Sequence, residues 1–234
     1  MAARGMKKTS NGVAVNGNLQ MLKWLEESGC PFDSNIISCA SQSGNLEMVE
    51  YLYSKGFKIN PDIYNEAIFG ENLKLIKWIY TRISTNYNII ICGIASLYKN
   101  YDILRWLVEH KFPCCKKVAA NIFSHGNFEM LDWIFENKLI ISTDACCNIV
   151  KHGRLDVLKK VKSYGCKWNF RVCETAMKLG YVDIIRFAHN NGCEWRFCKC
   201  YRKNNYRICK YTKKSISKWL NEKYNKEFNF IKLG

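Results

Sequence analysis

The feature that most constrains this chain is an internal repeat with a period of about 27 residues. The segment 17–25, Gly-Asn-Leu-Gln-Met-Leu-Lys-Trp-Leu, returns in related form at 44–52 and at 71–79. Seven copies begin, in order, at Gly17, Gly44, Glu71, Lys99, Gly126, Gly153 and Gly180. The intervals between these starts are 27, 27, 28, 27, 27 and 27 residues. Such a regular period is typical of a repeat protein, in which one small structural unit recurs along the chain.

Each copy predicts a helix. Apolar residues lie 2, 4, 5, 7 and 8 positions after the first residue of a copy, which places them on one helix face with a charged back. The residues five positions in are therefore core candidates: Leu22, Val49, Ile76, Leu104, Leu131, Leu158 and Ile185. Several copies have a glycine twelve residues in, at Gly29, Gly56, Gly165 and Gly192. A glycine there predicts a helix that ends in the left-handed conformation.

A shorter helical stretch precedes each copy. Examples are residues 35–43, 64–69, 91–98, 118–124, 145–151 and 172–179. Several of these stretches have an alanine four positions before the copy begins: Ala40, Ala67, Ala95 and Ala176. A small side chain at this position lets two helices approach closely. The predicted unit is thus helix, tight turn, helix and short loop, and neighbouring units must stack because one pair cannot bury its apolar face alone.

Aromatic residues recur seven positions into most copies. They are Trp24, Tyr51, Trp78, Trp106, Trp133 and Phe187, with Lys160 in the remaining copy. Tryptophan is common in binding surfaces, which makes these residues candidates for partner contact. They lie inside the apolar face at core spacing, so we interpret them as part of the stacking core.

Segment 40–56, Ala-Ser-Gln-Ser-Gly-Asn-Leu-Glu-Met-Val-Glu-Tyr-Leu-Tyr-Ser-Lys-Gly, resembles an ankyrin repeat. The short period and the Gly-Cys punctuation at Cys30, Cys166 and Cys193 are similar to the ankyrin-like arrays of giant DNA viruses of amoebae. The resemblance covers about residues 11–196 and implies an all-α, ankyrin-like helix-turn-helix repeat solenoid. Ankyrin units have about 33 residues. The shorter unit here implies that their hairpin fingers are reduced to short loops.

This interpretation divides the chain into three parts. Residues 1–10 form an N-terminal tail or a degenerate repeat, and residues 11–196 form the array of about seven units. Residues 197–234 form a basic capping repeat, in which Lys214 and Ser217 occupy positions that were apolar in the earlier copies. A terminal unit with one polar face is what a stack of repeats needs at its end.

Positive charge is concentrated near the C-terminus. The chain has a net charge of +16, and residues 194–234 contain 12 Lys and Arg against 3 Asp and Glu. Tyrosines are interleaved with these charges, a composition that favours RNA or single-stranded DNA. The candidate nucleic-acid contacts are Lys199, Arg202, Lys203, Arg207, Lys210, Lys213 and Lys214. The alternative is a solvated capping element in a lysine-rich chain, because no nucleic-acid motif of defined spacing is present.

A zinc site is a weaker hypothesis. Its candidate ligands are His189, Cys193, Cys198, Cys200 and Cys209. Their spacing matches no standard zinc motif, and Cys193 occupies the same repeat position as Cys30 and Cys166. We expect no bound metal, and we interpret the 13 cysteines as reduced thiols that are mostly small buried residues.

Catalytic residues are not evident. His125 and His152 share one repeat position, so the architecture accounts for them. The cysteine pairs 114–115 and 146–147 have no identifiable basic partner, and no glycine-rich phosphate loop occurs. We therefore expect neither an enzyme nor a cofactor.

The function favoured by the resemblance is protein–protein interaction, with a host protein as partner if the chain is viral. The alternative is nucleic-acid binding through the basic C-terminal region, and a third reading is a diverging array with no fixed partner. The chain has no secretory signal and no apolar stretch of membrane-spanning length. We expect an intracellular, cytoplasmic protein, in the host cytoplasm if viral, with the nucleus as a second location.

Overall fold

The computed structural model describes residues 2–60, 63–83 and 89–193. In these residues the regular structure consists of fourteen α-helices and no strand, which confirms the expected all-α class. In chain order the helices are α1 (Ala2–Val15), α2 (Leu19–Glu27), α3 (Ile36–Gln42), α4 (Leu46–Ser54), α5 (Ile63–Phe69), α6 (Leu73–Tyr80), α7 (Ile91–Leu97), α8 (Tyr101–Glu109), α9 (Lys117–Ser124), α10 (Leu131–Glu136), α11 (Thr143–Lys151), α12 (Leu155–Ser163), α13 (Phe170–Leu179) and α14 (Val182–Asn190).

The helices form pairs within two compact units. One unit is Met1–Val118 and the other begins at Ala119. In the first unit each odd-numbered helix contacts the even-numbered helix that follows it, and α1, α3, α5 and α7 also contact one another in sequence. In the second unit α11 pairs with α12, α13 pairs with α14, and α11 contacts α13. We call the odd-numbered members first helices and the even-numbered members second helices.

The predicted core positions are buried. Leu22, Val49, Ile76 and Leu104 have no exposed surface, and their counterparts in the second unit are buried as well: Leu131, Leu158 and Ile185. The four alanines of the first helices are also fully buried: Ala40, Ala67, Ala95 and Ala176. Both sequence predictions are confirmed.

One second helix begins later than the repeat predicts. The pattern places the start of the fifth copy's helix at Phe128, but α10 begins at Leu131. The Phe128 ring instead stacks on Phe123 of α9, with ring centroids 5.7 Å apart. Residues 127 and 128 have no regular structure, and residues 129 and 130 form a turn before α10.

Helix ends use the left-handed conformation at the predicted positions. Gly29, Gly56, Gly165 and Gly192 have φ values of 71°, 90°, 80° and 80°. Lysines occupy the same position in two copies, where Lys111 has a φ of 63° and Lys138 has a φ of 54°. A side chain in this conformation costs about 1–2 kcal/mol relative to the right-handed form. The backbone therefore keeps one geometry at this turn whether or not glycine is present.

Exchanging residues at this position tests that strain. We expect Gly165→Ala to lower the free energy of unfolding by about 1 kcal/mol, because the backbone angle, not crowding, opposes a side chain there. Lys138→Gly should raise it by up to about 1 kcal/mol, since relief of strain exceeds the entropic cost of glycine. Chemical denaturation of the two variants checks both signs. A higher free energy of unfolding for Gly165→Ala, or a lower one for Lys138→Gly, would contradict the idea that the left-handed backbone is strained by a side chain.

Asparagine joins consecutive copies. Asn45 and Asn72 each follow the first residue of a copy, and their side-chain oxygens accept hydrogen bonds from the backbone N–H groups of Met48 (3.0 Å) and Leu75 (3.2 Å). This interaction caps the second helix. Their Nδ2 groups also donate to backbone carbonyls of the preceding copy, at Gly17 (2.9 Å) and Gly44 (2.7 Å) respectively. One side chain thus starts a helix and ties it to its neighbour.

Comparing two asparagines isolates the bond between copies. Asn18 caps α2 through Met21 (3.0 Å) in the same manner, but among the described residues its side chain has no hydrogen bond to a neighbouring copy. We expect Asn18→Ala to cost about 1 kcal/mol of stability for the lost cap. Asn45→Ala should cost about 0.5–1.5 kcal/mol more, because it also leaves the Gly17 carbonyl without its partner. Equal losses in urea denaturation would show that the inter-copy bond contributes nothing.

Stacking predicts a large cost for truncating the core. Leu104 is fully buried on α8, so Leu104→Ala should lower the free energy of unfolding by about 2–5 kcal/mol by opening a cavity. Glu109→Ala on the same helix, an exposed position, should change it by less than about 0.5 kcal/mol. Thermal or denaturant melts that show no loss for Leu104→Ala would contradict its placement.

Candidate interaction surface

The aromatic position of the second helices is covered by the preceding copy. The edge of Tyr53 meets the ring of Trp78 at 5.4 Å between centroids, and Tyr80 meets Trp106 in the same way at 5.3 Å. Each covering tyrosine lies two residues after the aromatic position of its own copy. Trp78 and Trp106 are accordingly only 9% exposed. The prediction that these two tryptophans belong to the stacking core is confirmed.

The same prediction is wrong for Trp24, whose exposure is 56%. Trp24 belongs to α2, and no second helix precedes it in the described chain to supply a covering ring. Trp133, in the second unit, is half-buried. Periodicity predicts the same environment for every copy, so it does not predict that Trp24 is more exposed than Trp78 and Trp106.

Polar side chains make the contact between neighbouring second helices in two other copies. Glu26 accepts a hydrogen bond from the Tyr51 hydroxyl and forms an ion pair with Lys55 at 3.0 Å. The Tyr51 hydrogen bond, followed by the contribution of Lys55, holds the pKa of Glu26 below its ordinary value. In the second unit, Lys160 occupies the aromatic position and pairs with Asp132 of the preceding copy at 2.5 Å. Neighbouring second helices therefore contact each other through polar as well as aromatic side chains.

The first helices of the first unit present exposed apolar groups instead. Val15, Phe69 and Leu97 lie two positions before the start of their copies, at the C-terminal ends of α1, α5 and α7. Phe69 is 43% exposed and Leu97 is 51% exposed. Tyr98, also exposed, contacts the Phe69 ring with centroids 4.4 Å apart. We call these four residues the apolar row. Gln42 holds the corresponding position on α3.

Charge distinguishes α3, α5 and α7 from the second helices of this unit. Helices α3, α5 and α7 contain a single charged residue, Glu66. Helices α2, α4, α6 and α8 contain ten. In the second unit the position of the apolar row is polar: Ser124, Lys151 and Lys178. The scarcity of charge is thus a property of α3, α5 and α7, whereas α1 contains Arg4, Lys7 and Lys8.

A cleft of about 600 Å³ lies in the second unit beside the turn that precedes α10. It is lined by Gly126, Asn127, Phe128, Glu129 and Arg154. The Arg154 guanidinium lies 4.8 Å from the centre of the Phe128 ring and donates two hydrogen bonds to Asp156, at 2.9 and 2.6 Å. These bonds lower the pKa of Asp156 to about 2. The cation of this cleft is therefore paired with the neighbouring Asp156 carboxylate.

Most of the nucleic-acid and zinc candidates predicted from the sequence lie outside the described residues. The proposed nucleic-acid contacts lie outside the described residues: Lys199, Arg202, Lys203, Arg207, Lys210, Lys213 and Lys214. The same holds for three zinc candidates, Cys198, Cys200 and Cys209. Of the remaining two, His189 is on α14 and Cys193 follows that helix, with its thiol donating to the Asn169 carbonyl at 3.2 Å. In the described ranges no three His, Cys, Asp or Glu residues gather as a metal site would require.

Three of the residues considered for catalysis, Cys146, Cys147 and His152, are explained by burial or by contacts between copies. Burial raises the pKa of Cys146 to about 12 and also raises that of Cys147, which makes both poor nucleophiles. The His152 ring lies 3.2 Å from the Ser124 carbonyl, which belongs to the preceding copy. His152 therefore contributes to the contact between copies, a structural role that agrees with its recurrence at one repeat position.

Comparisons with family models and with curated proteins found no match. In the part of the chain that is described, no helix has both the length and the apolar character needed to cross a membrane.

The apolar row was not identified from the sequence. Aligning the copies places Val15, Phe69 and Leu97 in one column, so a signal existed. Apolar residues that recur at the end of a helix are equally compatible with a buried core and with an exposed surface. Only the exposure in the structure distinguishes these alternatives.

Proposed function

We propose that this protein is a non-catalytic scaffold for protein–protein interaction, built as an ankyrin-like solenoid with reduced fingers. Three features support the solenoid: the 27-residue period, the serial contacts of α1, α3, α5 and α7, and the asparagine bonds between copies. Short loops in place of strands between the described helix pairs agree with reduced fingers. A stack of this kind offers a long continuous surface for a partner.

The binding face in this proposal is the apolar row with the adjoining surfaces of α3, α5 and α7. The observation that carries the proposal is the contrast between these helices and the second helices. Trp78 and Trp106 of the second helices are covered by tyrosines of the preceding copy, whereas Leu97 and the Phe69–Tyr98 pair remain exposed. Exposed aromatic and aliphatic groups with little charge are typical of the centre of a protein interface.

The partner is an unidentified protein. The resemblance to viral ankyrin-like arrays favours a host protein, with the scaffold acting as an adaptor or a competitor. Affinity purification from the cytosol of producing or infected cells, followed by mass spectrometry, tests this with three baits. The baits are the wild-type chain, the double variant Phe69→Ser/Leu97→Ser, and the matched variant Glu50→Ser/Lys77→Ser, which alters exposed second-helix positions without changing the net charge.

We expect one protein to be captured stoichiometrically by the wild type and by the Glu50/Lys77 variant, and to be reduced at least about tenfold with the Phe69/Leu97 variant. A tenfold loss corresponds to about 1.4 kcal/mol, a modest amount for two apolar contacts. Circular dichroism melts of all three baits check that the fold is retained. Capture that is equal for all three baits would contradict the assignment of the face.

Nucleic-acid binding through residues 194–234 is the second candidate, favoured by a net charge of +9 in that segment. It predicts capture that is removed by nuclease and by salt, because phosphate contacts release counterions. Truncation after Gly192 would then abolish binding. Capture that survives nuclease, high salt and this truncation would reject the nucleic-acid function and leave the scaffold proposal standing.

A further inference from the structure

Two sulfurs meet beside the N-terminal turn of α7. Cys92 is buried on that helix, and Cys114 is half-buried in the loop between α8 and α9. The Cys92 thiol hydrogen-bonds to the Cys114 sulfur. Both sulfurs also lie near one acceptor, the Phe112 carbonyl oxygen, at 3.9 Å from Cys92 and 3.7 Å from Cys114. The two thiols are therefore held side by side, although 22 residues separate them in sequence.

Packing fixes this arrangement. Phe112 is buried, and its ring contacts Tyr64 at 5.5 Å, Tyr80 at 6.0 Å and Trp106 at 6.1 Å between centroids. These contacts anchor the loop that carries Cys114 against the core of the first unit. The hydrogen bond from Cys92 lowers the pKa of Cys114, although burial acts in the opposite direction. Cys114 is thus both the more accessible and the more readily ionised sulfur of the pair.

A third sulfur lies close to α7 but in a different position. A Cβ atom built on Gly93 would lie 3.0 Å from the sulfur of Cys115, so the glycine leaves the space that Cys115 fills. Cys115 therefore serves as an internal control for the pair, because it is adjacent to Cys114 in sequence and equally half-buried.

We propose that Cys92 and Cys114 are a site of reversible oxidation, at which a low-molecular-weight disulfide such as oxidised glutathione converts the two thiols into an intramolecular disulfide. The Cys114 thiolate attacks one sulfur of the small disulfide, whose S–S bond breaks and releases one small thiol. Cys92 then loses its proton and attacks the Cys114 sulfur of the mixed disulfide, releasing the second small thiol. The two cysteines lose two electrons, the small disulfide gains them, and the two protons leave on the small thiols.

The new bond would tie the start of α7 to the segment that follows α8, and it would enclose the whole of the fourth copy's second helix. A disulfide stabilises a fold mainly by restricting the unfolded chain. A second sulfur pair, Cys173 and Cys193, is hydrogen-bonded in the second unit, but both of its members are buried. A small disulfide reaches Cys114 more easily than either of these, so the Cys92–Cys114 bond forms first.

The experiment uses the full chain, reduced and then equilibrated with defined ratios of oxidised to reduced glutathione, quenched and alkylated. After trypsin, Cys92 lies in peptide 83–99 and Cys114 and Cys115 lie in peptide 112–116. We expect mass spectrometry to find these two peptides linked at a lower glutathione ratio than any other cysteine pair. At the same ratio in guanidinium chloride, the linked fraction should fall about tenfold or more, because the folded state holds the sulfurs together.

Variants distinguish the two neighbouring sulfurs. The link should persist in Cys115→Ser and disappear in Cys114→Ser, and oxidation should raise the Tm of the wild type and of Cys115→Ser only. If Cys114→Ser does not fold, Cys115→Ser still tests the proposal, because its only available link between the two peptides is Cys92–Cys114. The proposal is overturned if the folded wild type forms no such link, if the link survives in Cys114→Ser, or if peptide 112–116 closes on itself.

Discussion

The rest of the structure depends on the contacts by which consecutive helix pairs within each unit bury one another's apolar side chains. A pair of helices with seven to nine residues each cannot form a core alone, and the fully buried residues Ile76 and Leu104 each need neighbours from other elements. The contacts between copies follow a regular rule. Asn45 and Asn72 each bond to the carbonyl of the preceding copy, and the Tyr53–Trp78 and Tyr80–Trp106 contacts repeat one aromatic geometry.

This constraint divides the first unit into two kinds of surface. The second helices contact one another through tryptophans, tyrosines and charged groups, as at the Tyr53–Trp78 contact and the Glu26–Lys55 ion pair. Helices α3, α5 and α7 have buried alanines and together contain one charged residue, and Phe69, Leu97 and Tyr98 are exposed at the ends of α5 and α7. The proposed function follows from this difference, since the side that is not needed for internal cohesion is the side that is available to a partner.

Much of the fold could be predicted from the sequence because the repeat reports the same environment many times. The burial of Leu104 and Ala95 and the left-handed turn at Gly165 follow from periodicity alone. The features that periodicity did not predict differ from copy to copy or depend on residues that are distant in sequence and close in space. Trp24 is 56% exposed, although it occupies the same repeat position as the buried Trp78 and Trp106. The Cys92–Cys114 pair joins two different repeat positions, and the apolar row is distinguished from core only by what covers it.

Hydrogen exchange read by mass spectrometry, comparing the wild type with Ile76→Ala, tests the coupling between copies most directly. Ile76 is fully buried on α6, which contacts α5 and α8 and receives the Tyr53 ring of α4 on Trp78. The account predicts that amide protection falls in α6 and also in α4 and α8, which belong to the neighbouring copies. Loss of protection confined to α5 and α6 would contradict it, because each helix pair would then be stable without its neighbours.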